Sequence, residues 1–169
     1  MPDLWIRPEQ PADAADIEAV IAAAFQNAPH TSRTEQFIVN ALRKAGQLTV
    51  SLVAEDDSGI VGHVAVSPVT ISDGSTGWYG LGPVAVLPER QDQGIGKQLM
   101  DAALGALRTA GAHGCVVLGD PAYYRRFGFK AEPNLVLPDV PVEYFQAIAF
   151  GNAVPRGTVT YDQAFSALA

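Results

Sequence analysis

The stretch Gln91–Met100, QDQGIGKQLM, follows the apolar run PVAVLP and places two glycines, Gly94 and Gly96, where an amphipathic pattern begins. Glycines in the first turn of a helix let a ligand approach the N–H groups, which lack intrahelical acceptors and lie at the positive end of the helix dipole. Each glycine also costs the helix up to about 1 kcal/mol relative to alanine. On these grounds alone, an anion site and a plain tight turn are equally good interpretations.

Two familiar phosphate-binding motifs do not account for this stretch. Walker A requires a glycine five residues before Gly-Lys and a Ser or Thr after it, but the chain has Gln91 and Gln98 there. The dinucleotide fingerprint is matched in letters further upstream, beginning at Gly80. An apolar segment ending in Pro88 follows that match, so no helix N-terminus is available to receive a pyrophosphate.

Length and composition favour one globular domain spanning residues 1–169. The chain is 48% hydrophobic and 17% charged, which excludes disorder as the main interpretation. Its net charge is −7 and it contains no basic run, so nucleic-acid binding is disfavoured and a cationic partner is mildly favoured. The single cysteine, Cys115, cannot form an internal disulfide. With no signal-peptide pattern and no apolar span of about 20 residues, we expect a cytoplasmic protein without a membrane role.

Hydrophobic periodicity predicts a strand and two helices in the first part of the chain. A short strand covers residues 4–8, and a helix with Asp13 as N-cap follows it. Ser32 and Glu35 have the spacing of a capping box at the start of the second helix, and Gly46 marks its end.

From residue 48 the pattern changes to β-branched runs. The turn sequence DDSG predicts an antiparallel hairpin between LTVSLVAE and IVGHVAVSPVTI, and WYGLGPVAVLP predicts a third strand. A helix from Gly94 to near Gly111, the buried strand CVVLG and a short helix begun by Pro121 come next. In the tail, PNLVLPDVP resembles a loop, whereas EYFQAIAF and GTVTY resemble strands. This order indicates an α/β domain with a mixed sheet.

Two segments together resemble the GNAT N-acetyltransferases. The first is Gln91-x-x-Gly94-x-Gly96, which is similar to the Q/R-x-x-G-x-G/A pyrophosphate loop of that family. The second, YYRRFGF at residues 123–129, is similar to its aromatic-Tyr-x-x-x-Gly-Phe signature. The resemblance covers residues from about 4 to 132, and the C-terminal strands at 133–169 match in general pattern. It implies a mostly antiparallel sheet of about six or seven strands, flanked by about four helices and splayed between the strands at 80–86 and 115–118.

The resemblance also implies acetyl-CoA as cosubstrate and suggests where it binds. The pantetheine arm would bond to the backbone of Val84 and Val86, and the pyrophosphate would lie on N–H groups of the loop. The implied cofactor-binding residues are Val84, Ala85, Val86, Gln91, Asp92, Gln93, Gly94, Ile95, Gly96, Lys97, Gly119, Pro121 and Tyr124.

The implied reaction is direct attack of a primary amine on the thioester in a ternary complex. Tyr124 matches the family's tyrosine that protonates the departing thiolate, and the alternative is a structural hydroxyl. The Val86 N–H is the candidate donor to the thioester carbonyl. Many family members carry a carboxylate on the strand corresponding to residues 78–86, and this chain has none there. Possible substitute bases are Glu35, Glu55, His63 and Glu89, or a water-relayed base.

Other titratable residues favour structural interpretations. His63 lies inside a predicted strand and is expected to be structural, and Cys115 is expected to be an inert buried residue. His30 and His113 are isolated, and no spacing suggests a metal site.

Two other function classes remain open. One is a CoA-binding sensor or partner-binding module on the same scaffold. The other is acyl transfer to a protein N-terminus or lysine instead of a small-molecule amine. The resemblance leaves open both a homodimer and a longer acyl donor.

Overall fold

The computed structural model describes residues 3–29, 31–151 and 153–168; His30 therefore lies outside the described residues. Within these described residues ten strands are assigned: β1 (Trp5–Pro8), β2 (Val50–Asp56), β3 (Gly59–Pro68), β4 (Thr70–Ile71), β5 (Trp78–Val86), β6 (Gly114–Leu118), β7 (Lys130–Ala131), β8 (Leu135–Val136), β9 (Phe145–Ala149) and β10 (Gly157–Thr160). The α-helices are α1 (Ala14–Phe25), α2 (Glu35–Lys44), α3 (Ile95–Thr109) and α4 (Pro121–Tyr124). Short 3-10 helices occur at Pro11–Asp13, Pro88–Arg90, Arg125–Phe127, Val142–Tyr144 and Gln163–Ser166.

The main sheet has seven strands in the order β1-β2-β3-β5-β6-β9-β7. The pairing is antiparallel except between β5 and β6, which run parallel. The predicted DDSG hairpin is present, with Asp56 opposite Gly59. A second sheet, in the order β4-β10-β8, lies beside the first. The mixed, mostly antiparallel architecture predicted from the sequence is therefore confirmed.

Helices cover both faces of the main sheet because alternate strand residues point to opposite sides. On one face α3 packs Leu99, Met100 and Leu107 against Val64 and other buried strand residues. On the opposite face α1 packs against the alternate positions, including Val53, Ala65 and Ala85. A third apolar cluster, which contains Trp78 and Val116, joins the small sheet to this second face. The central strands are thus buried on both sides.

The structure corrects two strand assignments. The run expected as one strand, IVGHVAVSPVTI, divides after Pro68, and β4 belongs to the second sheet. A proline has no N–H to donate, so the ladder is easily ended at that residue. The segment expected to be a loop contains β8, because Leu135 is buried and its strand pairs with β10.

The two helix caps expected from the sequence also differ. Asp13 occupies the N-cap position of α1, but its carboxylate bonds to Arg7 and to the Gln10 N–H and does not cap α1. The N-cap of α2 is Thr34 and not Ser32, and no side-chain cap bond is present. Glu35 instead accepts a hydrogen bond from Thr31 Oγ1 at 2.6 Å, so the prediction of a capping box formed by Ser32 and Glu35 is wrong.

Candidate cofactor and active site

The main sheet splits between β5 and β6. The two strands pair from Trp78 opposite Gly114 to Gly80 opposite Val116. Beyond that point β5 continues along β3, and β6 continues along β9 as far as Leu118. A cleft of about 840 Å³ lies at this fork; its lining residues are Pro29, Val84, Val86, Arg90, Gln91, Asp92, Gly94, Ile95, Gly96, Lys97, Gly119, Asp120, Tyr123, Tyr124 and Arg126.

The register of β5 turns backbone groups toward the cleft. The Leu87 N–H donates to Val61 C=O at 2.9 Å, and hydrogen-bonded pairs alternate with non-hydrogen-bonded pairs in an antiparallel ladder. The pairs Val86–Gly62 and Val84–Val64 are therefore non-hydrogen-bonded. The N–H and C=O groups of Val84 and Val86 consequently point away from β3 and into the fork.

The loop before α3 presents a helix N-terminus at the wide end of the cleft. Gly94 is the N-cap and has φ of +82°, a left-handed conformation that residues with a Cβ rarely adopt. The first N–H groups of α3, from Ile95 to Lys97, have no intrahelical acceptors. Such a terminus favours an anion through its free N–H groups and its dipole.

The side chain of Gln91 ties this loop to the strand. Its Nε2 donates to Val86 C=O at 3.1 Å. That bond uses one of the two Val86 backbone groups facing the fork and leaves the N–H group for a ligand. Gln91 therefore sets the position of the loop relative to the end of β5.

Three basic side chains lie around the loop. The Arg90 guanidinium is 2.5 Å from the Asp56 carboxylate, and Lys97 Nζ is 2.8 Å from Asp101 on the exposed surface of α3. Arg126 stacks on the Tyr123 ring, with its guanidinium carbon 4.8 Å from the ring centroid. Two of these three cations are thus already paired with a carboxylate, which limits what they add to the positive potential of the helix terminus.

Two adjacent tyrosines of α4 form the wall opposite β5. The rings of Tyr123 and Tyr124 meet edge to face with centroids 5.0 Å apart. A Cβ on Gly96 would lie 3.0 Å from the Tyr123 hydroxyl, so the absence of a side chain at position 96 leaves room for that hydroxyl. Burial raises the pKa of Tyr124 to about 12, and this hydroxyl is therefore protonated at neutral pH.

Most of the expected cofactor-binding residues line the cleft. Three do not: Ala85, Gln93 and Pro121. Ala85 is 2% exposed and packs in the cluster beneath α1, because its side chain points away from the fork. Gln93 bonds to Arg90 and to the Glu89 backbone within the loop. Pro121 begins α4, as expected from its fixed φ.

Five lining residues are not among the cofactor-binding residues implied by the sequence. Four of them flank or interrupt expected segments: Arg90, Asp120, Tyr123 and Arg126. Their positions next to the loop before α3 and within the tyrosine motif could have indicated that they line the cleft. Pro29 comes from the connection between α1 and α2, outside the segments expected to bind the cofactor.

The four candidate base side chains do not line the cleft in the part of the chain that the structure describes. Glu55 forms an ion pair with Arg7 at 3.1 Å. Glu35 bonds to Thr31, and Glu89 is exposed within the loop. The carboxylates that do line the cleft are Asp92 and Asp120, and Asp120 caps α4 by accepting a bond from the Ala122 N–H at 2.9 Å.

His63 is wholly buried on β3, beneath α1 and α2. Its Nε2 is 2.8 Å from Ser51 Oγ and 3.9 Å from the Glu9 carboxylate, which also binds Arg43. Burial lowers the pKa of His63 to about 4, so the ring is neutral at physiological pH. These contacts are those of a structural histidine, as expected.

Cys115 is also buried, and desolvation raises the pKa of its thiol well above the usual range. Residues 3–29, 31–151 and 153–168 contain no group of three or more His, Cys, Asp or Glu side chains placed to hold a metal ion. Over the same residues, no helix has the length and apolar character needed to cross a membrane.

Comparisons with known proteins show the family of this chain. A model of the acetyltransferase (GNAT) domain matches residues 47–131. The chain is 41% identical over 128 residues to the uncharacterized N-acetyltransferase YhbS of Escherichia coli K12, which covers 75% of this chain and 74% of that protein.

Two solved structures share the fold over nearly the whole chain. A GNAT family acetyltransferase from Brucella melitensis, in complex with acetyl-CoA, is 52% identical with a TM-score of 0.87 and covers 96% of this chain and 98% of its own. YhbS from Escherichia coli, in complex with CoA, is 35% identical with a TM-score of 0.89 and covers 100% and 95% of the two chains.

The chain belongs to the GNAT acetyltransferase family and is an acyltransferase. The family resemblance and the GNAT-like fold predicted from the sequence are both confirmed.

Proposed function

We propose that this protein is an acetyl-CoA-dependent N-acetyltransferase that transfers the acetyl group to a primary amine. The observation that carries the proposal is the fork, where the outward-facing backbone of Val84 and Val86 leads to the helix terminus at Gly94. The coenzyme A and acetyl-CoA complexes of the relatives support the same class of ligand.

The cosubstrate lies along β5 as an additional strand. Backbone groups of Val84 and Val86 bond to the amides of the pantetheine arm, a recognition mode in which an extended ligand pairs with a free strand edge. The pyrophosphate accepts hydrogen bonds from N–H groups between Gln93 and Lys97. The thioester is then directed toward the narrow end of the fork.

The amine nitrogen attacks the thioester carbonyl directly within the ternary complex. A carbon–nitrogen bond forms, the carbon–sulfur bond breaks, and the thiolate takes the proton of the Tyr124 hydroxyl. The raised pKa of Tyr124 keeps this hydroxyl protonated before the step. The amine gives up its proton to water. A proton from water then returns the Tyr124 side chain to its neutral form.

A backbone N–H of β5 polarises the thioester carbonyl. We assign this role to Val84, whose N–H faces the fork and lies nearer the narrow end to which the thioester is directed. Val86 was the donor expected from the sequence, but Gln91 holds its C=O and its N–H is used by the pantetheine arm at the loop end of β5. The Val84 C=O faces the fork as well and is the group of this residue that bonds to the pantetheine arm.

Turnover of acetyl-CoA with defined amines tests the proposal. Free thiol release is measured with spermidine, kanamycin, a peptide with a free N-terminus and an N-terminally blocked peptide containing lysine. We expect turnover with at least one amine, and the responding compound separates small-molecule from peptide acceptors. Tyr124→Phe should lower kcat by roughly 10²-fold or more, the range for loss of a general acid.

Tyr144→Phe is the matched control because Tyr144 is 44% exposed and lies outside the cleft. Unchanged kcat in Tyr124→Phe would refute the assignment of the acid. If acetyl-CoA raises the melting temperature but no amine turns over, the result favours a CoA-binding sensor on this fold.

A further inference from the structure

The ring of Tyr161 lies at the closed end of the fork. Tyr161 follows β10, and an added Cβ on Gly80 would overlap its Cε1 and lie 3.0 Å from its Cδ1. Gly80 is the last residue of β5 that pairs with β6, opposite Val116. The aromatic ring therefore covers the point where the two strands begin to separate.

Neighbouring side chains hold the ring in this place. Tyr161 packs against the apolar cluster that contains Val116 and Trp78, and its ring centroid is 4.9 Å from that of Phe165. Phe165 belongs to the 3-10 helix Gln163–Ser166, which packs on α2. Because Gly80 has no side chain, the Tyr161 ring can lie directly on the backbone of β5.

Polar side chains near the closed end include the Tyr161 hydroxyl, the Cys115 thiol and Ser67, the β3 residue that pairs with Gly80. On β6 beside this point, Cys115 Sγ donates to the Val116 C=O at 3.7 Å. Burial raises the pKa of Tyr161 well above its usual range, and charge on Cys115 or Tyr124 would raise it further. The Tyr161 side chain is consequently neutral at this position.

We propose that the Tyr161 ring closes the acyl end of the cleft and makes the protein selective for short acyl groups. This inference rests on the proposed function, because the acyl group reaches Gly80 only if the pantetheine arm follows β5. A short acetyl group ends before the ring, whereas a longer aliphatic chain would have to displace it from a packed position.

Binding of acyl-CoA compounds tests this inference without an acceptor. Dissociation constants of acetyl-CoA, butyryl-CoA and hexanoyl-CoA are measured by titration calorimetry for the wild type and Tyr161→Ala. We expect the wild type to bind hexanoyl-CoA at least about tenfold more weakly than acetyl-CoA, the size of effect that a misfitting methylene produces in an apolar pocket. In Tyr161→Ala this ratio should fall to about one, with acetyl-CoA binding changed less than about threefold.

Tyr161→Phe is the matched control, because it keeps the ring and removes the hydroxyl. It should retain the wild-type ratio. Tyr161→Leu provides a second, milder truncation if the alanine variant does not fold, and it should lower the ratio in the same direction. Tyr144→Ala, a truncation of an exposed tyrosine, should leave the ratio unchanged.

Three results would overturn the inference while the proposed function stands: wild-type affinities equal for all three compounds, a ratio unchanged by both truncations, or a ratio lost equally in Tyr161→Phe. A wild-type protein that binds neither CoA nor any acyl-CoA would instead refute the proposed function itself, and the inference with it.

Discussion

A Cβ atom on Gly119 would lie 2.5 Å from Cε2 of Tyr124. The ring of the proposed acid therefore occupies the space that a side chain at position 119 would fill. Gly119 is fixed in turn by two bonds, from its N–H to Tyr144 C=O at 2.9 Å and from Gln146 Nε2 to its C=O at 3.2 Å. The backbone at Gly119, just after β6, thus positions the Tyr124 ring by direct contact.

Gly119→Ala should displace the Tyr124 ring and lower kcat nearly as much as Tyr124→Phe. The added methyl should also destabilise the fold by about 1–3 kcal/mol, the usual cost of overpacking. Steady-state kinetics and denaturant unfolding measure the two effects. Gly105→Ala is the matched control, since nothing lies within 4 Å of a Cβ there; in the middle of α3 it should add about 0.5–1 kcal/mol of stability. Equal kcat in both variants would contradict the positioning role of Gly119.

Gly94→Glu should weaken acetyl-CoA binding through charge repulsion at the helix terminus. Any side chain at this position also meets the strain of a left-handed backbone, with φ of +82°. Gly94→Gln has the same shape and strain without the charge, so the comparison isolates the electrostatic effect. Calorimetry should give a dissociation constant at least about tenfold higher for Gly94→Glu than for Gly94→Gln, equivalent to about 1.4 kcal/mol. Equal constants would place the phosphates elsewhere.

Gln91→Ala removes the hydrogen bond between the loop and Val86 C=O. Loss of one such bond is worth about 1 kcal/mol, so acetyl-CoA affinity should fall about fivefold. Gln91→Arg is the control because the family motif accepts either residue at this position, and it should bind nearly as well as the wild type. An affinity unchanged in Gln91→Ala would show that the loop keeps its position without this bond.

The unfolding free energy should decrease as the pH falls from 7 to 5. His63 has a pKa of about 4 in the folded chain against 6.5 when unfolded, so the unfolded state binds more protons in this range. The expected loss is about 2 kcal/mol by pH 5. Buried carboxylates with lowered pKa values, such as Glu9 and Asp13, lose their contribution at lower pH than this window. Denaturant unfolding of His63→Gln should show a flatter pH profile; an equal slope would exclude His63 as its source.

Local patterns in the sequence indicated most of the residues that line the cleft. Gly94 and Gly96 were recognisable as a local pattern, because a ligand can approach a helix terminus closely only where side chains are absent. The tyrosine motif was recognisable as well, because it begins only a few residues after the strand it packs on. The register that turns Val84 and Val86 toward the cleft is set by β3, through pairs such as that between Val86 and Gly62. That register depends on a strand about twenty residues away in sequence, so no local pattern specifies it.

Contacts distant in sequence could not be predicted in this way. The sequence showed Gly80 as part of an accidental dinucleotide match, whereas in the structure its lack of a side chain admits Tyr161 from the C-terminal segment. The capping box failed because α2 begins at Glu35 with Thr34 as its N-cap, so Ser32 lies outside the helix, and the Glu35 carboxylate instead accepts from Thr31 Oγ1. Long-range packing and local competition among polar groups account for these differences.

The three residue pairs between β5 and β6 have a consequence for backbone dynamics. In the free protein the amide hydrogens of Val84 and Val86 face an open gap, so they should exchange rapidly with deuterated water despite their place in a central strand. When acyl-CoA binds as proposed, these amides gain acceptors and their exchange should slow, together with that of the Ile95–Lys97 amides. The ligand then serves as a missing strand: it joins two half-sheets that the polypeptide alone leaves open.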